Sequence, residues 1–364
     1  MSENSHMKNV WAVVGGGNGG QSAAGHLGTM GYDVRLYDIV QDTIDAIAGA
    51  GGIQVDGAVQ GFGPVTRAST DMATVIDGAD VIMVVAPAIY HRSIATTMAP
   101  SIRPGQIVFV HPGATFGALE FRRVFRDYGV DTSSVVVVEA QSLLYACRAP
   151  QPGHATIKGM KNRLAIAAVP ASKTAEALAA IADAFPQMHA ASSVFETSLT
   201  NLNAIMHPAP SLLNISTIES GREWEYYRDG ITPTIGRFIE KLDEERVAIG
   251  KELGLDLLNV RGMYKDFYSA EGTTMSEIVR NVGAYRGISG QKTIETRYVL
   301  EDIPTGLVPM SSLARQLGLK ADMMDTVCHL GSYMVGRDIE SDGRTMENLG
   351  LAGLSADQLV AEVA

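Results

Sequence analysis

The chain has 364 residues, 46% of them hydrophobic and 19% charged, which is typical of a globular protein long enough to form two domains. Its 29 basic and 40 acidic residues give a formal net charge of −11, which argues against nucleic acid and anionic membranes as partners. Only two cysteines occur, no apolar run is long enough to span a membrane and no signal peptide precedes the first strand, so the sequence predicts a cytoplasmic protein without disulfides.

The first predicted element is a strand, the apolar stretch Val10–Val14, after a polar segment, Met1–His6, that we expect to be a flexible leader. Glycines follow the strand at once, with the spacing G-x-G-x-x-G. In such a turn the first glycine permits the bend, the second lets a phosphate approach and the third lets helix pack on strand. The residues predicted to contact a dinucleotide here are Gly15, Gly17, Asn18, Gly19 and Gly20.

A predicted helix and a second strand lead from the glycines to Asp38, about 20 residues further on. A carboxylate at this distance accepts hydrogen bonds from the adenine ribose hydroxyls. Neither Ile39 nor Val40 is basic, so nothing obvious binds a 2′-phosphate, and the sequence favours NAD over NADP. The alternative is a glycine-rich turn beside a solvated surface aspartate.

Further apolar runs predict the buried strands of a doubly wound parallel sheet. They are Val81–Val85, Ile107–Val110 and Val135–Val138, with Ala155–Ile157 and Leu164–Ala168 as short additional strands. Ligands of such sheets bind beyond the carboxyl ends of the strands. We therefore expect Ala86 and Pro87 to contact the cofactor, with His111–Thr115 and Glu139–Cys147 nearby.

The pattern changes after about Ser193, where β-branched runs give way to helical periodicity. The predicted helices are Ser211–Ser220, Ile231–Leu253 and Ser311–Leu317. The sequence thus predicts an α/β fold: a Rossmann-type doubly wound domain, residues 8–190, followed by an all-α domain, residues 191–364. If the first domain binds a dinucleotide, the helical domain must supply the general acid/base and the residue that binds the substrate.

His207 is the first candidate for that chemistry. Pro208 disfavours helical geometry at the residue before it, so we expect His207 to be extended. Because proline also favours the first position of a helix, His207 is predicted to stand at the mouth of the helix that contains Leu212 and Leu213. There it could act as a general acid/base. The alternative is a capping or packing histidine.

Arg297 and Asp302 form the second candidate group. An arginine can bind a carboxylate through two hydrogen bonds, and Asp302 or Glu301 could orient His207. Five-residue spacing does not put Arg297 and Asp302 on one face of a regular helix or strand, so both reach one site only if the backbone changes direction near Pro304. The alternative is an ordinary surface charge cluster.

Ser142 and Cys147, after the predicted strand Val135–Val138, form the third group and could line the nicotinamide pocket. For Cys147 the alternative is a small buried hydrophobic residue, and nothing favours a nucleophilic thiol. No metal site is predicted.

Together, the glycine run with Asn18, the Asn203–Pro208 stretch and the Arg297–Pro304 stretch resemble the opine dehydrogenase family, over a region from Val10 to about Leu330. The resemblance implies a dinucleotide domain followed by a helical octopine/nopaline dehydrogenase-type domain. It also implies an NADH-dependent enzyme that condenses the amino group of an amino acid with a 2-oxo acid, often pyruvate, through an imine.

The same resemblance implies roles for single residues. His207 matches the catalytic histidine of the family, Asp302 its partner and Arg297 the substrate-binding arginine. Substrate contacts are also expected from Ser142, Cys147 and Asn203. Trp224–Tyr227 are plausible contacts of the amino acid, and we expect a homodimer.

Two other functions remain open from the sequence. A hydroxy-acid dehydrogenase or ketopantoate reductase-like enzyme usually employs a lysine of the helical domain. Lys241, Lys251, Lys265 and Lys292 are present, but none has a convincing motif context. The other alternative is an NAD-binding sensor protein without catalytic activity.

Overall fold

A computed structural model describes residues 8–364, so the predicted leader, Met1–His6, lies outside the described residues. The chain forms two compact units: the residues up to Thr197 together with Val363 and Ala364, and Ser198–Glu362. The sequence-based domain bounds, 8–190 and 191–364, stay a prediction. Within the described part of the chain, none of the helices has the length and apolarity needed to cross a membrane.

The first unit is built on an eight-stranded sheet, which confirms the predicted α/β class. In chain order its strands are β1 (Val10–Val14), β2 (Asp33–Tyr37), β5 (Arg67–Ser69), β6 (Val81–Val84), β7 (Ile107–Val110), β8 (Val136–Ala140), β11 (Leu164–Val169) and β12 (Met188–Ala190). Their spatial order is β12-β11-β8-β7-β6-β1-β2-β5, and only the β8–β11 pair is antiparallel. The central strands are buried along their length because helices cover both faces of the sheet.

The second sheet of this unit was not predicted. Its strands are β3 (Gly52–Gly57), β4 (Gly61–Pro64), β9 (Tyr145–Gln151) and β10 (His154–Met160), in the order β4-β3-β10-β9. The prediction that Ala155–Ile157 belongs to the doubly wound sheet is therefore wrong, since these residues pair with β3 and β9. Two hairpins far apart in sequence complete one sheet, a pairing that local periodicity does not reveal.

The helices of the first unit cover the main sheet. They are α1 (Asn18–Thr29), α2 (Gln41–Ala50), α3 (Met72–Ile76), α4 (His91–Met98), α5 (Gly117–Asp127) and α6 (Thr174–Ile181), and α7 (Val194–Leu199) spans the boundary between the units. The secondary-structure elements described for the second unit are helices. They are α8 (Asn203–Met206), α9 (Pro208–Leu213), α10 (Ile215–Glu219), α11 (Pro233–Glu252), α12 (Val260–Tyr268), α13 (Met275–Asn281), α14 (Arg297–Leu300), α15 (Val308–Gln316), α16 (Asp322–Val335) and α17 (Ala356–Val363).

The predicted helix Ser211–Ser220 is in fact two helices, α9 and α10, which meet at Asn214. The side chain of Asn214 donates hydrogen bonds to the backbone carbonyls of Pro210 and Gly230. An asparagine that bonds the local backbone competes with the helical hydrogen-bond pattern, which explains the break. The two other predicted helices correspond to α11 and α15.

A buried ion pair fixes α11 within the second unit. Nε of Arg246 lies 2.6 Å from Oδ1 of Asp243, and both side chains are almost fully buried. The guanidinium also donates to the backbone carbonyls of Leu199 and Leu258, while Asp243 accepts from the backbone N–H of Val260. These bonds satisfy the buried charges and tie α11 to the chain on either side.

Candidate active site

The glycine turn lies at the point of the main sheet where the strand order reverses. From β1 the chain proceeds to β2 on one side and returns to β6 on the other. The turn after β1 begins at Gly15, and Val85 follows β6 with its N–H bonded to the carbonyl of Val14. In open α/β sheets this switch point is where ligands bind.

The three spaced glycines have different environments. Gly15 adopts φ +113°, and a Cβ there would lie 2.4 Å from the carbonyl oxygen of Val85. A Cβ on Gly20 would lie 1.6 Å from the carbonyl oxygen of Gly15, so α1 packs on the turn as closely as glycine allows. A Cβ on Gly17 meets nothing within 4 Å, which leaves open space at the N-terminus of α1. The turn therefore fits a pyrophosphate, which would accept hydrogen bonds from the first N–H groups of α1.

Asp38 directly follows β2 and bonds to the glycine turn. Its Oδ2 accepts from the N–H of Gly16, and its Oδ1 accepts from the N–H of Val40 at 2.8 Å. The side chain of Ile39 is 81% exposed. The carboxylate is thus held in place beside the turn with further lone pairs available to ribose hydroxyls.

Asn18 joins the start of α1 to the second sheet. Its side-chain oxygen accepts from the N–H of Ala149 at 2.7 Å, and its backbone oxygen lies 3.4 Å from Sγ of Cys147. Burial raises the pKa of the Cys147 thiol, which keeps it protonated. Ser142 lies in the segment between β8 and β9 and accepts a hydrogen bond from Nζ of Lys161 at 2.9 Å.

The remaining predicted cofactor residues lie near the switch point. A Cβ on Gly19 would press against Val85, so this glycine faces the end of β6. Ala86 and Pro87 follow β6, and Pro87 precedes a short 3₁₀ turn, Ala88–Tyr90. The structure thus brings the glycine turn, Asp38 and the end of β6 together at one edge of the sheet.

His207 connects α8 to α9 and is buried, with 6% of the residue exposed. The prediction that it is extended is wrong, because its φ and ψ are −105° and −51°, in the helical region. Its N–H bonds to the carbonyl of Asn203, and its own carbonyl accepts from the hydroxyls of Ser211 and Tyr226. These contacts outweigh the preference imposed by Pro208. Asn203 itself is the half-buried first residue of α8.

Asp302 and His207 form a buried pair. Nδ1 of His207 lies 2.7 Å from Oδ2 of Asp302, and the two side chains are 8% and 6% exposed. With the Nδ1 proton donated to the carboxylate, Nε2 is the nitrogen that can exchange a proton with another group. This is the arrangement of an oriented general acid/base.

The five-residue spacing of Arg297 and Asp302 is explained by a wide turn. After α14 the N–H of Asp302 bonds to the carbonyl of Arg297, five residues back, and a π-helix, Ile303–Leu307, follows. This i→i+5 pattern stacks residues that an α-helix would separate. The predicted change of backbone course near Pro304 is therefore a π-type widening.

The side chain of Arg297 is 60% exposed, and its Nε lies 3.7 Å from a carboxylate oxygen of Glu301. Burial lowers the pKa of Arg297, but the carboxylates of Glu301 and Asp302 outweigh it and raise the pKa overall. The guanidinium therefore remains a permanent cation beside the buried pair, and its exposed part can bind an anion.

Tyrosine rings enclose His207, a feature that the sequence analysis predicts only in part. Tyr298 stacks on the imidazole with 3.9 Å between centroids, and the hydroxyl of Tyr227 lies 3.1 Å from Nε2. Tyr226 and Tyr227, which the sequence analysis suggests as contacts of the amino acid, both contact His207. The sequence analysis did not propose Tyr298 as a site residue, although its position next to Arg297 could have indicated it. In residues 8–364 no cluster of three or more His, Cys, Asp or Glu side chains could hold a metal ion.

Comparison with known proteins identifies the family of the chain. The chain is 41% identical to an opine dehydrogenase of Arthrobacter sp. (strain 1C) over 348 residues, which cover 95% of this chain and 96% of that protein. The chain belongs to the opine dehydrogenase family. It is a nicotinamide-dependent oxidoreductase with the activity of that family, the reductive condensation of an amino acid with a 2-oxo acid.

Two family models match the two halves of this opine dehydrogenase-family chain. Residues 190–335 match the alpha-helical domain of NAD/NADP octopine/nopaline dehydrogenase, and residues 11–113 match the N-terminus of NAD-dependent glycerol-3-phosphate dehydrogenase. The chain is also 23% identical to the protein ocs of Agrobacterium tumefaciens (strain Ach5), with 96% of this chain and 97% of that protein covered.

Solved structures share the fold. A structure of octopine dehydrogenase with NADH and L-arginine has a TM-score of 0.82 at 18% identity, covering 97% of this chain and 98% of that one. A ketopantoate reductase from Ralstonia eutropha JMP134 has a TM-score of 0.63 at 16% identity, covering 91% and 99%. The runner-up family of the sequence analysis is thus similar in fold, while the 41% relative decides the family.

Proposed function

We propose that this opine dehydrogenase-family enzyme uses His207 as its general acid/base, Asp302 to orient that histidine and Arg297 to hold the carboxylate of the 2-oxo acid. The observation that carries the proposal is the buried 2.7 Å contact between Nδ1 of His207 and Oδ2 of Asp302. The carboxylate fixes the tautomer and stabilises the imidazolium, so that Nε2 exchanges the proton.

The guanidinium of Arg297 supports the oxo-acid assignment. It is permanently charged, partly exposed and near Asp302, so a bound 2-oxo carboxylate would place its carbonyl carbon close to His207. The amine of the amino acid adds to that carbonyl, and His207 supplies the proton with which the hydroxyl leaves as water. The product of this part of the reaction is the imine.

The open space at Gly17 and the N-terminus of α1 support binding of the dinucleotide pyrophosphate, with Asp38 on the adenine ribose. When bound, NADH supplies the hydride that reduces the imine to a secondary amine. Since Asp38 would repel a 2′-phosphate, we assign NADH as the preferred form. Asn203, Ser142 and Cys147 are proposed as substrate contacts, and a homodimer stays a prediction.

A matrix of amino acids against 2-oxo acids, with NADH consumption as the readout, tests the reaction. We expect oxidation of NADH only when both substrates are present. Oxidation with the oxo acid alone would instead identify a hydroxy-acid dehydrogenase, and no oxidation with any pair would favour a sensor protein.

The variant His207→Ala tests the residue assignment. We expect turnover to fall about 10²–10⁴-fold, the usual contribution of a positioned acid/base, with NADH binding retained. His329→Ala is the matched control, because His329 is an exposed histidine of the same unit. Full activity of a folded His207→Ala enzyme would remove His207 from the chemistry.

A further inference from the structure

The imidazole of His207 is surrounded by defined groups. Nδ1 is hydrogen-bonded to the carboxylate of Asp302, and the ring of Tyr298 stacks on one face of the imidazole. Among residues 8–364, the side chains hydrogen-bonded to the imidazole are Asp302 and Tyr227. The nitrogen that must exchange the proton, Nε2, is therefore covered by the phenol of Tyr227.

Tyr227 is held rigidly in this position. It is 6% exposed, and its ring stacks on Tyr285 with 3.7 Å between centroids and 11° between planes. The edge of Tyr226 packs against it at 5.0 Å. The hydroxyl of Tyr285 is in turn hydrogen-bonded to that of Tyr264 at 2.7 Å. A ring held by these two aromatic contacts does not move away from Nε2 without disturbing its neighbours.

We propose that Tyr227 is a catalytic residue that relays the proton between Nε2 of His207 and the substrate. This inference rests on the proposed role of His207. In the dehydration step the Nε2–H bond of the imidazolium breaks as a new O–H bond forms on Tyr227. The original phenolic proton moves to the hydroxyl of the amine adduct, whose C–O bond breaks as the nitrogen lone pair forms the C=N bond. Water leaves, and Tyr227 ends as it began, a neutral phenol.

The surroundings of Tyr227 suit a relay of this kind. Burial raises the pKa of Tyr227 well above its ordinary value, and the neighbouring tyrosines act in the same direction. The phenol is therefore neutral near pH 7. A neutral hydroxyl can accept one proton while it donates another, whereas a phenolate can only accept.

The variant Tyr227→Phe tests the relay because it keeps the stacked ring and removes only the hydroxyl. We expect kcat to fall on the order of 10- to 100-fold, with NADH affinity and thermal stability close to those of the wild type. The matched control is Tyr264→Phe, which removes a buried hydroxyl of the same cluster that contacts Tyr285 rather than His207, and its kcat should stay within about threefold.

A second measurement uses the wild-type enzyme, so it does not require that any variant folds. Single-turnover rates in mixtures of H₂O and D₂O should curve with deuterium fraction, because two protons move together. A linear or flat dependence, a Tyr227→Phe kcat within about threefold of wild type at every pH, or an equal loss in Tyr264→Phe would overturn the relay. The proposed function would fail by a different result, namely full activity of His207→Ala, so the two failures can be distinguished.

Discussion

Nδ1 of His207 and Oδ2 of Asp302 lie 2.7 Å apart, although 95 positions of the sequence separate the two residues. The wide turn that follows α14 carries Asp302 to this position, and the junction of α8 and α9 holds the histidine. The pair is thus set by two irregular stretches of backbone that lie far apart in the chain.

The variant Asp302→Asn should retain the fold and lose most of the activity. The amide can still accept the Nδ1 hydrogen bond, but it does not neutralise the imidazolium, so we expect kcat to fall about 10²-fold. Steady-state kinetics at saturating substrates, together with NADH titration, measure this. Asp325→Asn is the control, since Asp325 bonds Ser311 and Arg315 instead. Unchanged kcat in Asp302→Asn would argue against an orienting role.

Replacement of Arg297 by alanine should weaken binding of the oxo acid and leave NADH binding intact. Loss of a charged hydrogen-bonding pair costs about 2 kcal/mol or more, so KM for the oxo acid should rise at least about 30-fold. Lys292→Ala serves as the control, because Lys292 is an exposed cation paired with Glu223. If the KM of the oxo acid were the same in Arg297→Ala and in the wild type, another residue would hold that carboxylate.

Two glycine variants should separate folding from cofactor binding. Gly17→Ala places its Cβ in open space, so thermal stability should remain while NADH binds at least about tenfold more weakly. Gly20→Ala forces its Cβ against the carbonyl of Gly15, so we expect a strongly destabilised protein. Thermal melts and NADH titration of both variants provide the comparison. Wild-type NADH affinity in Gly17→Ala would contradict a pyrophosphate at this turn.

Asp38→Ser should reduce the preference for NADH over NADPH. The hydroxyl can still accept a hydrogen bond, but the negative charge that repels a 2′-phosphate is gone, and we expect the ratio of affinities to change on the order of tenfold. Asp42→Ser, in the first turn of α2, is the control. Dissociation constants of both nucleotides measure the effect, and an unchanged ratio would place the ribose elsewhere.

His111 should make the protein sensitive to mild acid. It is fully buried, its Nε2 accepts from the N–H of Leu144 at 2.8 Å, and burial lowers its pKa to about 3. The unfolded chain binds this proton near pH 6.5, so the stabilisation is complete above that pH and is lost as the pH falls toward 3. Relative to His111→Gln, the free energy of unfolding of the wild type should fall by about 2 kcal/mol between pH 6.5 and 4.5. Denaturant titrations at the two pH values test this, and parallel losses in both proteins would contradict it.

The first unit was largely predictable because its signals are local. The glycine spacing, the apolar strands and Asp38 each lie within a short window of sequence. The strands form the sheet, and the glycine turn and Asp38 meet where β1 and β2 end. The second sheet escaped prediction because β3 and β10 pair across 100 positions of the sequence, as His154 and Gln54 show.

The second unit was predictable mainly through its resemblance to a family. Physical reasoning expected an extended His207, and the tertiary contacts of its carbonyl with Ser211 and Tyr226 decide otherwise. Single tyrosines had a signal, but their assembly around His207 did not, since the rings come from four separate stretches of the chain. Such a cluster becomes visible only when the helices pack.

The pairing of β3 with β10 also has a consequence for synthesis of the chain. Until residues 154–157 have left the ribosome, one edge of β3 has no partner, although β4 already pairs with the other. An unpaired strand edge is a template for association with other chains. Nascent chains of intermediate length should therefore depend most on chaperones, and premature termination before β9 should yield aggregates rather than a smaller folded domain.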